Sequence, residues 1–328
     1  MIVINTNFGD IELLKQVLND EYPSLRKKVI FADTDEQIKQ KIKNASVFLT
    51  FNVSQEIIDN AELLRLIQIP VVGVNQISNK LNIKKIPICN VHGNSAATAE
   101  HAIALMLAVA KEIVVNHRDL TKGIWHNLLT DKRKTVHIGG KSAGIIGFGG
   151  IGKQIAKLCR CLGMNVNVLK RTPGIEKQYL NIIDKLFATD ELDQLIEISD
   201  FIFVAVPLTH QTRGMIDKDK LDKMKDKILI NIARGPIVDE KALYHALKDG
   251  HLKGAGIDVW YNYPASEDQA CLPSKFPFHT LNNVIISPQC GGLTYEGMRD
   301  CYREALENIT NLYAGKPLAN QINIEKRY

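Results

Sequence analysis

Short apolar runs alternate along the chain with longer stretches whose apolar residues recur every three or four positions. The short runs predict buried strands, and the longer stretches predict amphipathic helices. The predicted strands span residues 2–5, 46–50, 66–69, 142–146, 165–169, 201–205, 228–231, 254–258 and 284–287. The predicted helices include residues 11–19, 54–59, 151–162, 192–198 and 240–248. Strands that alternate with helices from end to end predict an α/β fold with parallel sheets.

The density of this alternation divides the chain into two domains. It is highest between Gly144 and Ser287, and we assign residues 99–289 to a doubly wound domain built around this series. Residues 1–98 predict a smaller α/β unit. Residues 290–328 are too few to bury a core of their own, and chain ends often lie close together, so we assign them to the smaller unit. A helix predicted over residues 97–117 and the crossing after Pro288 would be the two hinge elements.

Composition excludes several classes of protein. Of 328 residues, 45% are hydrophobic and 23% are charged, as in an ordinary globular protein, and a net charge of +5 suits an anionic ligand without predicting a nucleic acid partner. The apolar run 102–110 is far shorter than the roughly 20 residues that cross a membrane, and no signal peptide is evident. Six cysteines lack zinc-type pairing, which predicts free thiols and no metal site. We expect a cytoplasmic protein without nucleic acid or membrane partners.

A glycine-rich turn lies between the predicted strand 142–146 and the predicted helix 151–162. Its Gly-x-Gly-x-x-Gly spacing is typical of dinucleotide-binding turns. Gly147 would allow the tight turn, Gly149 would let the backbone approach a pyrophosphate, and Gly152 would let the helix pack on the sheet. The candidate phosphate-binding residues are Gly147, Phe148, Gly149, Gly150, Ile151 and Gly152. The alternative is a structural turn that binds nothing.

The end of the next predicted strand bears on which dinucleotide binds. NAD-binding sites place a carboxylate there to accept a hydrogen bond from the ribose 2′-hydroxyl. Here the strand is followed by Lys170, Arg171 and Thr172. A guanidinium can bind a 2′-phosphate through two parallel hydrogen bonds. We therefore predict that NADP(H) is preferred and that NAD(H) is possible, the alternative being that these charges are merely exposed.

Motifs spread over nearly the whole chain resemble one family. They are NSAATAEH at 94–101, GIW at 123–125, the glycine turn, PLTHQTRG at 207–214, NIARGPIVDE at 231–240, GIDV at 256–259 and SPQCGG at 287–292. Their order resembles that of the D-isomer-specific 2-hydroxyacid dehydrogenases, a family that includes glyoxylate and hydroxypyruvate reductases and phosphoglycerate dehydrogenases.

The resemblance implies a smaller flavodoxin-like substrate domain, a Rossmann-type dinucleotide domain and an active site in the cleft between them. It also implies a homodimer formed largely through the dinucleotide domain. Arg234 matches the arginine that binds the substrate carboxylate, with backbone N–H groups of Val72, Gly73 and Val74 assisting. Further cofactor contacts are expected from Val206, Pro207, Thr212, Ile232, Ala233, Arg234, Asp258, Gln289 and Gly291.

Two positions depart from the family pattern. The family has a proton-donating His in its last motif and a Glu that orients it, whereas this chain has Gln289 and Tyr263. Hydride reduction of a carbonyl leaves an alkoxide, and a positioned acid contributes about 10²–10⁴-fold. A glutamine amide can donate a hydrogen bond but not a proton. The candidate catalytic residues are therefore Arg234, Gln289 and Tyr263, the last only if its acidity is raised.

Three histidines lie outside the proton-donor position. His92 and His101 lie in or near the segment entering the interdomain helix, and we expect both to be structural. His279 lies in a loop upstream of Gln289, and its reach does not follow from the sequence.

These features predict an NADP(H)-dependent oxidoreductase that reduces a small 2-oxo acid, such as glyoxylate or hydroxypyruvate, to a 2-hydroxy acid. The proton would come from water, Tyr263 or the substrate. A phosphoglycerate-type dehydrogenase is a variant of this prediction. The alternative is a dinucleotide-binding sensor or regulatory protein that has lost turnover.

Arg171, after the predicted strand 165–169, allows a test of the cofactor prediction. We expect NADPH to bind more tightly than NADH, and Arg171→Ala to weaken NADPH binding by about 1.5–3 kcal/mol, the scale of a charge-assisted hydrogen bond. Titration calorimetry with both dinucleotides measures this. NADH binding as tightly as NADPH would contradict it.

Overall fold

The computed structural model describes all residues except 8, 75, 79, 84–85, 126–134, 173, 267–268 and 324–328. The chain forms two compact units, which we call the first unit (1–94 with 293–328) and the second unit (95–292). The boundaries lie within a few residues of those predicted at 98/99 and 289/290. They differ because a helix that starts at Ser95 packs along its length on elements of the second unit.

The first unit is built on a five-stranded parallel sheet. Its strands are β1 Ile2–Asn5, β2 Val29–Ala32, β3 Val47–Leu49, β4 Leu66–Gln68 and β5 Ile88–Cys89. Its first helices are α1 Ile11–Glu21, α2 Pro23–Arg26, α3 Asp35–Ile42 and α4 Gln55–Asn60. The strand order β2-β1-β3-β4-β5 confirms the predicted flavodoxin-like topology. Alternate residues of β1 face opposite layers, Ile2 and Ile4 toward α1 and Val3 toward α3 and α4.

The second unit is built on a seven-stranded parallel sheet. Its helices are α5 Ser95–Ala110, α6 Ile113–Leu120, α7 Gly150–Cys161, α8 Leu192–Ile198, α9 Lys218–Asp222 and α10 Glu240–Lys248. Its strands are β6 Ser142–Ile146, β7 Asn165–Leu169, β8 Lys185–Phe187, β9 Phe201–Val204, β10 Ile228–Asn231, β11 Gly254–Ile257 and β12 Val284–Ile286. The order β12-β11-β10-β9-β6-β7-β8 reverses direction between β6 and β9, which confirms a doubly wound Rossmann-type sheet.

The chain returns to the first unit through α11, Tyr295–Tyr313. This helix packs against α1 and β4 and contributes Tyr302 and Leu306 to the buried core. The buried amide of Asn308 donates to Gln68 Oε1 at 3.1 Å and to Ala319 O at 3.0 Å. These bonds fasten both the helix and the segment after it to the sheet.

The helix predicted over residues 97–117 is two helices. Glu112 has φ 52°, in the left-handed region, which an α-helix cannot pass through, so α5 ends at Ala110 and α6 begins at Ile113. Sequence patterning also missed three strands, β2, β5 and β8. All three lie at the edges of their sheets, where a strand lacks a neighbour on one side. Among the described residues, no helix is both long and apolar enough to cross a bilayer.

Candidate functional site

The strands of the second unit are parallel, so they end at one edge of their sheet, which we call the carboxyl edge. Doubly wound folds bind ligands at this edge, near the point where the strand order reverses. The glycine turn leaves it at the end of β6. Gly147 has φ 103°, and a Cβ there would lie 2.6 Å from Ala205 O, in the segment after β9. Only glycine fits this close approach of two strand ends.

Gly149 and Gly152 have opposite surroundings. A Cβ on Gly152 would lie 2.0 Å from Gly147 O, so that glycine is required for packing. A Cβ on Gly149 would meet nothing within 4 Å, so its backbone faces open space. Gly149 is also the N-cap of α7 and has no side chain to cap the helix. The first N–H groups of α7 therefore form a site suited to a pyrophosphate.

The segment after β7 is rich in cationic groups. Lys170 N bonds Phe187 O at 2.9 Å, and Lys170 Nζ donates to Gly174 O at 3.1 Å. Arg171 and Thr172 are exposed. The nearby carboxylate, Glu176, pairs with Lys153 of α7 at 2.6 Å, and this hydrogen bond lowers the pKa of Glu176. The Glu176 carboxylate is thus already paired with a lysine.

The predicted cofactor residues after β9 form a compact loop. Thr212 Oγ1 donates to Pro207 O at 2.6 Å and accepts from Thr209 N at 2.8 Å. Val206 is half-buried and Pro207 is exposed. The Thr212 hydroxyl therefore stabilises the loop, and its contact with a cofactor stays a prediction.

The end of β10 places Arg234 at the same edge. Asn231 is buried, and its side chain accepts from Ala233 N at 3.1 Å and donates to Arg234 O at 3.2 Å. Ile232 and Ala233 are buried beside it. A Cβ at Gly235 would lie 2.3 Å from Trp260 O, so the loop after β10 lies against the segment after β11. These contacts fix the backbone from which Arg234 projects.

The Arg234 guanidinium has an unusual setting. Burial lowers its pKa from the ordinary value, and the nearby Tyr263 hydroxyl opposes that shift. An arginine nevertheless remains charged at neutral pH. A partly desolvated cation at a strand end is suited to bind a carboxylate in two-pronged geometry. Tyr263 is 48% exposed, and its Oη accepts a hydrogen bond from Trp260 N at 3.0 Å.

Asp258 is buried, and both of its carboxylate oxygens accept hydrogen bonds from protein groups. Its Oδ1 accepts from Ser287 Oγ at 2.5 Å and from Cys290 N at 3.1 Å, and its Oδ2 accepts from Gly291 N at 3.1 Å. His101 Nε2 shares a hydrogen bond with Ser287 Oγ at 2.9 Å. The carboxylate therefore holds the turn 287–291 after β12. Its predicted contact with the nicotinamide stays a prediction.

Gln289 lies at the centre of this turn. Its φ of 57° is in the left-handed region, which non-glycine residues rarely adopt, so the bonds to Asp258 on either side must hold it. Gly291 is buried, and a Cβ there would lie 2.9 Å from His101 Cδ2. The turn thus presents Gln289, half-buried, at the carboxyl edge.

Other protic groups lie close to the turn. Burial and the Asp258 carboxylate raise the pKa of the Cys290 thiol. Tyr261 donates to Val238 O at 2.9 Å, and burial strongly raises its pKa. Cys290 Sγ, His101 Nε2 and Asp258 Oδ1 lie within 4.8 Å of one another, but the carboxylate oxygen already accepts protein hydrogen bonds, so we assign no metal to them.

The remaining sequence-predicted residues belong to other elements of the two units. Val72, Gly73 and Val74 form a half-buried loop of the first unit, where Asn90 Nδ2 donates to Val72 O at 2.6 Å. His279 is exposed in a 3-10 turn, and His92 lies in the first unit. Sequence reasoning missed the roles of Asn231 and Ser287. Both follow apolar strand residues directly, which was the available signal.

A glycine turn at the point where a doubly wound parallel sheet reverses its strand order is the arrangement of a dinucleotide-binding α/β domain. Residues 103–291 match the model of the D-isomer specific 2-hydroxyacid dehydrogenase, NAD binding domain. The chain belongs to the D-isomer-specific 2-hydroxyacid dehydrogenase family.

Similar proteins include reductases and dehydrogenases. The chain is 37% identical to D-3-phosphoglycerate dehydrogenase of Archaeoglobus fulgidus, over 83% of this chain and 50% of the relative. It is 33% identical to glyoxylate reductase of Pyrococcus furiosus, over 86% of this chain and 82% of the relative. A solved structure of the acyclic imino acid reductase Bsp5, in complex with NADPH and D-Arg, has a TM-score of 0.77 and 25% identity, covering 98% of this chain and 100% of that one. The chain spans about half the length of the phosphoglycerate dehydrogenases it matches.

The contrasting glycines of the turn allow a matched test. We expect Gly149→Ala to leave the free energy of unfolding within about 0.5 kcal/mol, because its Cβ meets nothing, yet to weaken NADPH binding strongly. Gly152→Ala should destabilise the fold by about 1–3 kcal/mol, because its Cβ overlaps a backbone oxygen. Urea unfolding and calorimetry measure the two effects. Unchanged NADPH affinity in a folded Gly149→Ala protein would remove this turn from the cofactor site.

Proposed function

We propose that the protein is an NADP(H)-dependent oxidoreductase that transfers a hydride between the nicotinamide and a small 2-oxo or 2-hydroxy acid. Glyoxylate and hydroxypyruvate are the representative 2-oxo acids. The observation that supports this most is the partly desolvated Arg234 at the same sheet edge as the glycine turn. A sensor of the dinucleotide alone would need the cofactor turn but no arginine to bind a substrate carboxylate.

Arg234 would bind and orient the substrate. Two parallel hydrogen bonds from a guanidinium fix the plane of a carboxylate, and so fix the carbon next to it. Holding that carbon at hydride distance lowers the barrier by removing the entropy cost of encounter. Backbone N–H groups of Val72, Gly73 and Val74 are proposed to bind the same carboxylate.

We propose a preference for NADP(H) from the charges of the segment after β7. Lys170, Arg171 and Thr172 follow β7, and Glu176 is paired with Lys153. A 2′-phosphate would therefore meet cations rather than an uncompensated carboxylate, which favours NADP(H) over NAD(H). The solved Bsp5 structure contains NADPH, which agrees with this preference.

The relatives support a reductase acting on a short acid. One that resembles the chain over most of both lengths is a glyoxylate reductase. The phosphoglycerate dehydrogenases match over only about half their own length. We therefore favour a small 2-oxo acid over phosphoglycerate. All six cysteines are free thiols, which agrees with a cytoplasmic location.

A homodimer is proposed through the second unit. Large apolar side chains in α6 and in the residues just after it are exposed: the exposed fraction is 82% for Trp125 and 54% for Ile113. The others are Val114, Leu120 and Ile124. Several large apolar side chains exposed within one short stretch of sequence are typical of an interaction site.

Arg234 tests the proposed function directly. Arg234→Lys keeps the charge but loses the two-pronged geometry. We expect it to lower kcat/KM for glyoxylate or hydroxypyruvate by at least about tenfold, equal to about 1.4 kcal/mol of transition-state stabilisation, with NADPH affinity nearly unchanged. Arg65→Lys, exposed in the first unit, is the control. Suppose that the protein binds NADPH tightly but turns over no 2-oxo acid, whether the acid is supplied alone or together with an amine. That result would favour the alternative function, a dinucleotide-binding sensor.

The dimer proposal has its own test. We expect wild type to sediment at the mass of two chains and Val114→Glu to shift toward one, because a charge in an apolar interface is costly to desolvate. Leu63→Glu, at an exposed leucine of the first unit, should leave the mass unchanged. A wild-type mass of one chain at micromolar concentration would end the proposal.

A further inference from the structure

We infer that this site reduces the C=N bond of a 2-imino acid, formed from a 2-oxo acid and ammonia or a primary amine, faster than the C=O bond of the 2-oxo acid itself. The inference rests on the proposed hydride transfer and on Arg234 as the carboxylate ligand. It concerns whether the carbon that accepts the hydride, next to the carboxylate, is doubly bonded to oxygen or to nitrogen.

The two reactions differ in their need for an acid. Hydride addition to a ketone puts a negative charge on oxygen, which must be neutralised by a proton as it develops. A protonated imine already has its proton: the hydride forms the C–H bond, and the C=N π pair becomes the nitrogen lone pair. The product is a neutral amine, which takes a proton from water afterwards. An enzyme that reduces an iminium therefore needs no general acid.

The protic groups at the carboxyl edge are poorly suited to serve as that acid. Cys290 has its pKa raised by burial and by Asp258. Tyr261 is bonded to Val238 O, and burial strongly raises its pKa. His101 is engaged with Ser287 at 2.9 Å and lies 3.3 Å from Asp258. Cys290 and His101 thus hold the turn, and Tyr261 is committed to Val238 O, so none of these three groups is a free donor.

Gln289, at the position of the family's proton donor, also suits a cationic iminium substrate. A protonated histidine would repel an iminium, whereas the amide of Gln289 is neutral and its Oε1 can accept the iminium N–H. The turn that presents Gln289 is held by three hydrogen bonds to Asp258, so an acceptor at this position would be fixed before substrate binds. Tyr263, exposed and with its Oη bonded to Trp260 N, offers a second neutral oxygen beside Arg234.

Atoms and electrons balance in the proposed reaction. A 2-oxo acid and ammonium give the 2-iminium acid and water in solution. NADPH then gives its hydride to C2, which yields NADP⁺ and a 2-amino acid. With methylamine in place of ammonium, glyoxylate gives N-methylglycine. No further oxidant or reductant is needed.

The test uses purified full-length wild type, NADPH labelled with deuterium at C4, and glyoxylate. The reaction is run with methylammonium chloride or, at equal ionic strength, with tetramethylammonium chloride, which cannot form an imine. NADPH oxidation is followed optically, and products are identified by mass spectrometry against an enzyme-free blank. We expect at least about tenfold faster oxidation with methylammonium, since a missing general acid costs that much or more. Deuterium should appear in N-methylglycine.

The outcomes separate the inference from the proposed function. Equal rates in both salts, with deuterated glycolate as product, would overturn the inference and leave the proposed function standing. No enzyme-dependent deuterium transfer in either salt would overturn both. Deuterated N-methylglycine without glycolate would support the inference and make the imine the substrate.

Two variants sharpen the assignment to Gln289. Gln289→His with Tyr263→Glu restores an acid and its orienting carboxylate, so the ratio of glycolate to N-methylglycine should rise at least about tenfold. Gln40→His, at an exposed position of α3, is the matched control and should keep the wild-type ratio. An unchanged ratio in a folded double variant would show that Gln289 and Tyr263 do not set the choice. The wild-type comparison decides the inference if the double variant does not fold.

Discussion

The buried carboxylate of Asp258 ties the end of β11 to the turn after β12, and the candidate site depends on that tie. It accepts hydrogen bonds from Ser287 Oγ and from the N–H groups of Cys290 and Gly291. Hydrogen bonds to a charged acceptor are stronger than neutral ones, and here they offset the cost of burying the charge. They also compensate for the left-handed backbone of Gln289. The position of Gln289 is therefore set by a carboxylate on the neighbouring strand.

Close backbone contacts between strand ends position the rest of the edge. Gly147 lies against Ala205, and Gly235 lies against Trp260, in both cases with no room for a Cβ. Asn231 holds the loop that leads to Arg234. Because β10 is joined in this way to β11, and β11 to the turn after β12 through Asp258, the backbone that carries Arg234 is tied to the turn that carries Gln289. Such preorganisation is what electrostatic stabilisation of a reaction requires.

The chemistry of the site follows from what this edge keeps and lacks. It keeps Arg234, which we propose binds the substrate carboxylate, and the glycine turn, which we propose binds the dinucleotide. It lacks the His and Glu that deliver a proton in the family, and Gln289 and Tyr263 replace them with neutral groups. Orientation without an acid is a poor arrangement for a ketone and a sufficient one for an iminium. On this proposal, the two substitutions change which substrate is reduced and do not abolish hydride transfer.

The sequence by itself determined the fold class, the family and the pieces of the site, because these depend on local patterns: buried strands are apolar and glycines repeat at fixed spacing. The three strands that it did not predict, β2, β5 and β8, lie at sheet edges, and it predicted one helix where Glu112 interrupts it. Only the tertiary structure decided what Asp258, Ser287 and His101 do. Their partners lie on different strands and a helix, 29 and 186 residues apart in sequence for the two bonds to Ser287, and no local pattern encodes a contact of that separation.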